Sequence, residues 1–209
     1  MARVWKFSDS INTDLITPGR YNMTTDKAEL GRIAFIEHRP EYAQGVRPGD
    51  FVVAGRNFGC GSSRETAVYA LKANGISAIV AKSYARIFYR NCINNGVMAL
   101  VAPAEFVEAA LDGDDLSIEG GRLVNRTRNR SVPVSLPPLM IRLREFGGIL
   151  NFLKTHKIEE LEAKADVPAP KEFKACKIEG IGAGAERTTA RKAPRASSGQ
   201  SKKKDILFK

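Results

Sequence analysis

The sequence predicts an α/β fold, a mixed sheet with flanking helices, from three observations. Apolar runs of strand length alternate with helix signals through residues 1–156. Turn and capping residues fall between them at regular intervals. Late in this region Gly120-Gly121 separates two strand-like runs, the signature of a hairpin.

The elements follow in order. Val4 to Phe7 alternates as a strand does. Asp26-x-x-Glu29 is a capping box that opens a short helix. Pro48-Gly49-Asp50 makes a turn before the buried-strand run Phe51 to Ala54. Ser62-x-x-Glu65 is a second capping box, with a helix expected through Ala73 and Gly75 placed to end it. Ala78 to Ala81 is another strand, and Ser83 is the expected cap of a helix that stops at Asn95-Gly96. Met98 to Val101 is a strand and Ala104 to Leu111 a helix. Leu116-Ser117-Ile118 and Arg122-Leu123-Val124 form the hairpin, with Arg122, Arg126, Arg128 and Arg130 along its edge. Ser131 to Pro138 is extended, and Leu139 to Thr155 is helical with a break at Gly147-Gly148.

The apolar elements are expected to end near Thr155, so 1–156 is read as the folded domain. Residues 157–165 have the composition of a short charged helical extension. Residues 166–209, which open on Asp166-Val167-Pro168-Ala169-Pro170, are poor in large apolar residues and are expected to be a disordered basic tail. Half of the net charge of +10 lies beyond residue 156. The run from Arg187 to Lys204 carries seven basic residues and no acid.

That charge raises a nucleic-acid-binding reading. The tail's only aromatics are Phe173 and Phe208, which speaks against a stacking surface. No apolar run approaches the 18 residues of a membrane span, and no secretory leader is legible, so a cytoplasmic protein is expected. Three cysteines, Cys60, Cys92 and Cys176, are too scattered for a disulfide framework. His38 and His156 have no metal-spaced partner, and no metal site is expected in this chain.

Gly55-Arg56-Asn57-Phe58-Gly59-Cys60-Gly61-Ser62-Ser63-Arg64-Glu65 is the most informative stretch. It follows a strand and opens a helix, where unpaired N–H groups suit a carboxylate or phosphate. Arg64 adds a planar two-pronged donor. The segment lacks the Lys of a phosphate loop, the second glycine of a hydrolase elbow and the third glycine of a dinucleotide fingerprint. Two readings stay open on these residues alone. One is an anion site with a serine at the helix mouth; the other is a plain turn with Ser62 as N-cap.

The same segment resembles the signature loop of the aconitase-type swivelling domain. It specifically resembles the small subunits of 3-isopropylmalate dehydratase and homoaconitase-like hydro-lyases. The stretch from Phe7 to Tyr21 agrees, with Asn12-Thr13-Asp14 inside it. So do Arg39-Pro40-Glu41-Tyr42, Pro48-Gly49-Asp50, and Ala81 to Asn91 followed by Asn95-Gly96. The likeness covers about residues 2–155.

The resemblance implies a subunit that isomerises a hydroxy di-acid by dehydration and rehydration. It implies a [4Fe–4S] cluster held by a large partner subunit in a heterodimer or heterotetramer, and none bound by this chain. By position in the loop Ser62 matches the catalytic base, while Ser63 and Arg64 match residues that hold substrate carboxylate. Tyr21-Asn22-Met23-Thr24 matches the loop that reads the variable group of the substrate. Met23 stands where homoaconitase-like members carry arginine, and Asn22 where leucine is expected. An apolar, adaptable Met23 leans toward an alkylmalate, 3-isopropylmalate of leucine biosynthesis or dimethylmalate, over homocitrate or citrate. Arg20 and Arg86 are weaker candidate contacts. Cys60 is read as a small loop residue and Cys92 as a packed thiol.

Overall fold

Four short strands pair in parallel and in chain order across one sheet: β1 (Val4–Lys6), β2 (Phe51–Ala54), β3 (Ala78–Ala81) and β4 (Ala99–Val101). The computed structural model describes residues 1–162 except Asn22 and Thr25, with Lys27 and Glu162 described by backbone alone. Between β1 and β2 run α1 (Thr13–Ile16), a 3-10 turn at Gly19–Tyr21, α2 (Lys27–Arg32) and α3 (Pro40–Gly45). The later crossovers are α4 (Glu65–Ala73) and α5 (Arg86–Asn94).

Both faces of the sheet are buried, which explains the unbroken apolar runs of β2 and β3. Alternate residues point to opposite sides. Val52 and Ala54 pack with Ile16, Phe35, Tyr42, Leu71 and Phe88 from the crossover segments. Phe51 and Val53 pack with Phe106 and Val107 of α6 (Ala104–Ala109), with Leu116 and Leu123 of the hairpin, and with Met140.

The hairpin forms where the glycines predict it, between β5 (Leu116–Glu119) and β6 (Arg122–Asn125), and β7 (Arg130–Pro133) joins as a third antiparallel strand. Parallel and antiparallel pairing are thus both present, but in two sheets. One bridge, Arg3 to Asp115, ties the hairpin to the β1 edge, with Val4 N–H donating to Asp114 (2.9 Å) and Leu116 N–H to Ala2 (3.0 Å). The backbone contact continues with Gly113 N–H donating to Val4 (2.9 Å), and the Asp114 carboxylate accepts from Asn125 (2.9 Å) and Arg128 (3.1 Å).

Asp26 caps α2 as predicted, accepting from the N–H of Ala28 (2.8 Å). Two other expected caps are not formed. α4 begins at Glu65 with Arg64 as its uncapped N-cap, so Ser62 lies before the helix. α5 begins at Arg86 behind Ala85, while the Ser83 hydroxyl accepts the N–H of Asn57 (2.9 Å).

The helix after residue 137 breaks at the two glycines into α7 (Pro138–Glu145) and α8 (Ile149–Phe152). Apolar packing continues past Thr155, contrary to expectation: α9 (Glu159–Glu162) buries Leu161 against Leu143 and Phe152. Two neighbours there, Arg142 and His156, lie on the Phe152 ring. The expected tail over 166–209, with Cys176, lies outside the described residues. Among the described residues no helix is long and apolar enough to cross a membrane.

Candidate active site

All four parallel strands end on the same side, where crevices in such sheets take ligands. There the segment 55–64 leaves β2 and continues between two neighbours. On one side Ser10 N–H donates to Arg56 (2.7 Å), Gly59 N–H to Ile11 (2.8 Å) and Thr13 N–H to Cys60 (2.9 Å). On the other, Phe58 N–H donates to Ser83 (3.0 Å) and Ala85 N–H to Phe58 (3.0 Å). The loop therefore extends the sheet by backbone bonds after the strands have ended.

Glycines make that course sterically open. A Cβ on Gly55 would sit 1.7 Å from Asp9 Oδ1, the oxygen that accepts the N–H of Arg56 (2.7 Å). A Cβ on Gly59, at φ +76°, would sit 2.0 Å from Cγ of Phe88. Asp9 and Phe88 can close on the loop only because both positions lack a side chain.

The second half of the loop is exposed. Ser62 and Ser63 face solvent, and neither side chain caps the helix behind them. The carbonyl of Ser62 is held twice, by the Thr13 hydroxyl (2.8 Å) and by the N–H of Arg64 (2.7 Å). Arg64 turns its guanidinium toward α1: Nη1 pairs with Asp14 Oδ1 (2.7 Å) and donates to the Thr17 carbonyl (3.4 Å). A Cβ on Gly19 would lie 3.3 Å from that Nη1, so the arginine packs along the backbone that leads into Arg20 and Tyr21. Glu65, which would oppose an anion at the helix mouth, is drawn aside to Asn95 Nδ2 (2.8 Å).

Arg20, Tyr21, Met23 and Thr24 share a shallow open pocket of about 540 Å³ with Glu29 and Arg32. Met23 is 91% exposed. Arg20 is ion-paired with Glu37 and lies over the Tyr21 ring (5.1 Å). Asn22 lies outside the described residues. Arg86 is exposed at the start of α5 and makes no ion pair or hydrogen bond with the described residues. The fold thus gathers Ser62, Ser63 and Arg64, and joins Arg64 through Gly19 to the 20–24 loop.

Three residues of this region are given no role of their own by the sequence. Asp14 and Thr13 are the partners of Arg64 and of the Ser62 carbonyl, and Arg32 is a second cation in the pocket. Asn12 carried the available signal: it caps α1, its Oδ1 accepting the N–H of Leu15 (2.8 Å), and so presents Thr13 and Asp14 to the loop.

The described cysteines do not fit a [4Fe–4S] cluster. Cys92 lies on the buried face of α5, its thiol pushed up by desolvation. Cys60 turns its sulfur to the Ser10 carbonyl (3.5 Å), and burial raises it too. Among the described residues no group of three or more His, Cys, Asp or Glu side chains is gathered to hold a metal.

Residues 7–105 match the aconitase C-terminal domain family. The chain is 47% identical over 158 residues to 3-isopropylmalate dehydratase small subunit 1 of Archaeoglobus fulgidus, covering 74% of this chain and 97% of that protein. It is 46% identical over 157 residues to the methanogen homoaconitase small subunit of Methanothermobacter thermautotrophicus, covering 73% and 90%. The fold is similar to the crystal structure of a 3-isopropylmalate dehydratase from Methanocaldococcus jannaschii. The TM-score is 0.70 at 39% identity, with 78% of this chain and 97% of that one covered. At that identity and coverage the chain belongs to the aconitase-type family of hydro-lyase small subunits that includes those of 3-isopropylmalate dehydratase and homoaconitase.

Proposed function

We propose that this chain works as the small subunit of a cytoplasmic Fe–S hydro-lyase that isomerises an alkylmalate, with 3-isopropylmalate as the preferred substrate. Ser62 is the base. It takes the proton from the carbon alpha to a substrate carboxylate, breaking that C–H bond, while the hydroxyl leaves from the neighbouring carbon. Ser63 and Arg64 hold the carboxylate. Tyr21, Asn22, Met23 and Thr24 are the residues that select the alkyl group, with Arg20 and Arg86 as peripheral cations. The cluster, which would polarise the leaving hydroxyl, is assigned to a large subunit because the relatives are small subunits; the chemistry of Cys60 and Cys92 agrees with that.

One observation carries this reading: the Ser62 hydroxyl is exposed and unspent at the carboxyl end of the parallel sheet, with no capping role. A serine hydroxyl is a weak acid in water. The uncapped start of α4 favours its oxyanion. A docked subunit that excludes water would oppose a bare oxyanion by desolvation but strengthen its attraction to that helix start.

Ser62→Ala tests it. Turnover of 3-isopropylmalate by the complex reconstituted with its large subunit should fall by about 10³-fold, the scale of a lost general base. The thermal midpoint should hold, because no cap is removed. A kcat within tenfold of the native value excludes Ser62 as the base.

A second reading, a homocitrate-like substrate, is favoured by Arg32, an exposed cation in the pocket that holds Met23. Comparing kcat/KM for 3-isopropylmalate, dimethylmalate and homocitrate separates the two. A preference for the tricarboxylate would make Arg32, and not Met23, the residue that selects the substrate.

A further inference from the structure

We infer that Thr13 is a positioning residue for Ser62: its hydroxyl fixes the peptide that carries the base. The inference rests on Ser62 being that base.

Nothing local orients the Ser62 side chain. It is exposed, it caps no helix, and α4 starts only at Glu65. Its direction is therefore set by its own backbone. On one side of that backbone stands Gly61 at φ +86°, a permissive residue that imposes no direction of its own. On the other side, the Ser62 carbonyl accepts from Arg64 N–H at 2.7 Å, a contact spanning only two residues. Such a bond moves with the loop and cannot anchor it.

Thr13 supplies the outside reference. It is 1% exposed, within the α1 turn that Asn12 caps. Its N–H donates to Cys60 (2.9 Å) and its hydroxyl to Ser62 (2.8 Å). One buried residue thus holds the carbonyls on both sides of Gly61. Asn12 closes the same corner, since a Cβ on Gly61 would lie 3.3 Å from that of Asn12. The hydroxyl bond is the tether beyond the glycine, the one that reaches the peptide of the base. A proton transfer from carbon is sensitive to displacement of the base by a fraction of an ångström, so loss of this tether should appear in the chemical step.

The test compares Thr13→Val, which keeps the shape and removes the donor, with Thr13→Ser, which keeps the donor. Both are assayed in the assembled complex with 3-isopropylmalate, protonated and deuterated at the carbon that loses its proton. Thr13→Val should lower kcat by about tenfold, change KM by less than about twofold and raise the deuterium isotope effect on kcat. Thr13→Ser should stay within about twofold of the native enzyme. Should Thr13→Val not assemble, Thr13→Ala replaces it in the same comparison.

A native kcat and isotope effect in the hydroxyl-free variant, beside an inactive Ser62→Ala, overturns the positioning role and leaves the base in place. Equal losses in the Val and Ser variants overturn it as well, because a variant that keeps the hydroxyl would then fail as badly as one that lacks it, which traces the effect to packing at residue 13. Activity in Ser62→Ala removes the base assignment itself, and is recognised independently of either Thr13 variant.

Discussion

The loop at 55–64 and the loop at 19–24 meet at Arg64, yet they are held in opposite ways. The first is threaded between two backbone neighbours and closed over by Phe88 and Asp9. The second is fastened by an exposed ion pair, Arg20 with Glu37, and leaves Met23 almost fully in solvent. Preorganisation is worth most where a proton must be taken from a fixed place. Open, weakly held surface suits a region that meets a variable substituent and a docking subunit. The contrast teaches that, on the proposed reading, the residue that reacts follows a closely packed stretch of chain, while the residues that select the substrate stand on an open one.

The largest effect should come from filling the closed loop. Gly59→Ala places a Cβ 2.0 Å from Phe88 at a positive φ. Overpacking and backbone strain together should cost about 3 kcal/mol. That corresponds to a fall in the thermal midpoint of about 10 °C for a domain of this size. Calorimetry on the isolated chain checks it. A midpoint within 2 °C of native, on the order of 1 kcal/mol or less, would show that the loop yields easily and would dissolve the contrast.

The distinction between the loops also sets what could be read without a structure. The strands, the hairpin and the α2 cap were legible, because each depends on neighbours in sequence. The starts of α4 and α5 were not. Ser62-x-x-Glu65 has the residues of a capping box, but the Ser62 carbonyl is engaged by Thr13, 49 positions away, and Glu65 by Asn95, 30 positions away. Ser83 is likewise taken by Asn57. Tertiary bonds outcompete local caps where a loop prolongs a sheet, and spacing alone carries no sign of that. In the site, Ser62 and Arg64 stood out by residue type and neighbourhood. Thr13 and Asp14 did not, since their roles appear only when α1 docks on the loop.

In the open loop, Met23→Arg should act on selection and leave stability untouched. At 91% exposure the side chain contributes little packing. A guanidinium facing an isopropyl group should lower kcat/KM for 3-isopropylmalate by about 10- to 100-fold, the scale of one misplaced group in a pocket. The added cation should raise turnover of a tricarboxylate relative to it. Steady-state kinetics on both substrates, beside a thermal midpoint, decides. Unchanged selectivity would move the specificity role away from Met23 and toward Arg32.

The smallest effect is expected at the fastening of the same loop. Glu37→Gln removes the charge that Arg20 meets but keeps an acceptor of the same shape. Both partners are exposed, with side chains 70% and 39% accessible, so water and salt screen the pair. The thermal midpoint should not move. KM should rise by about twofold at low salt, because a loop freed of this ion pair spends less time in the arrangement that meets substrate. As ionic strength rises the native enzyme loses the same attraction, and the two KM values should converge. A salt titration of KM for both proteins measures this. A KM gap that persists at high salt would mean the contact holds the loop by geometry and not by charge. A fall in midpoint comparable to that of Gly59→Ala would place Arg20 and Glu37 among the fixed parts of the fold.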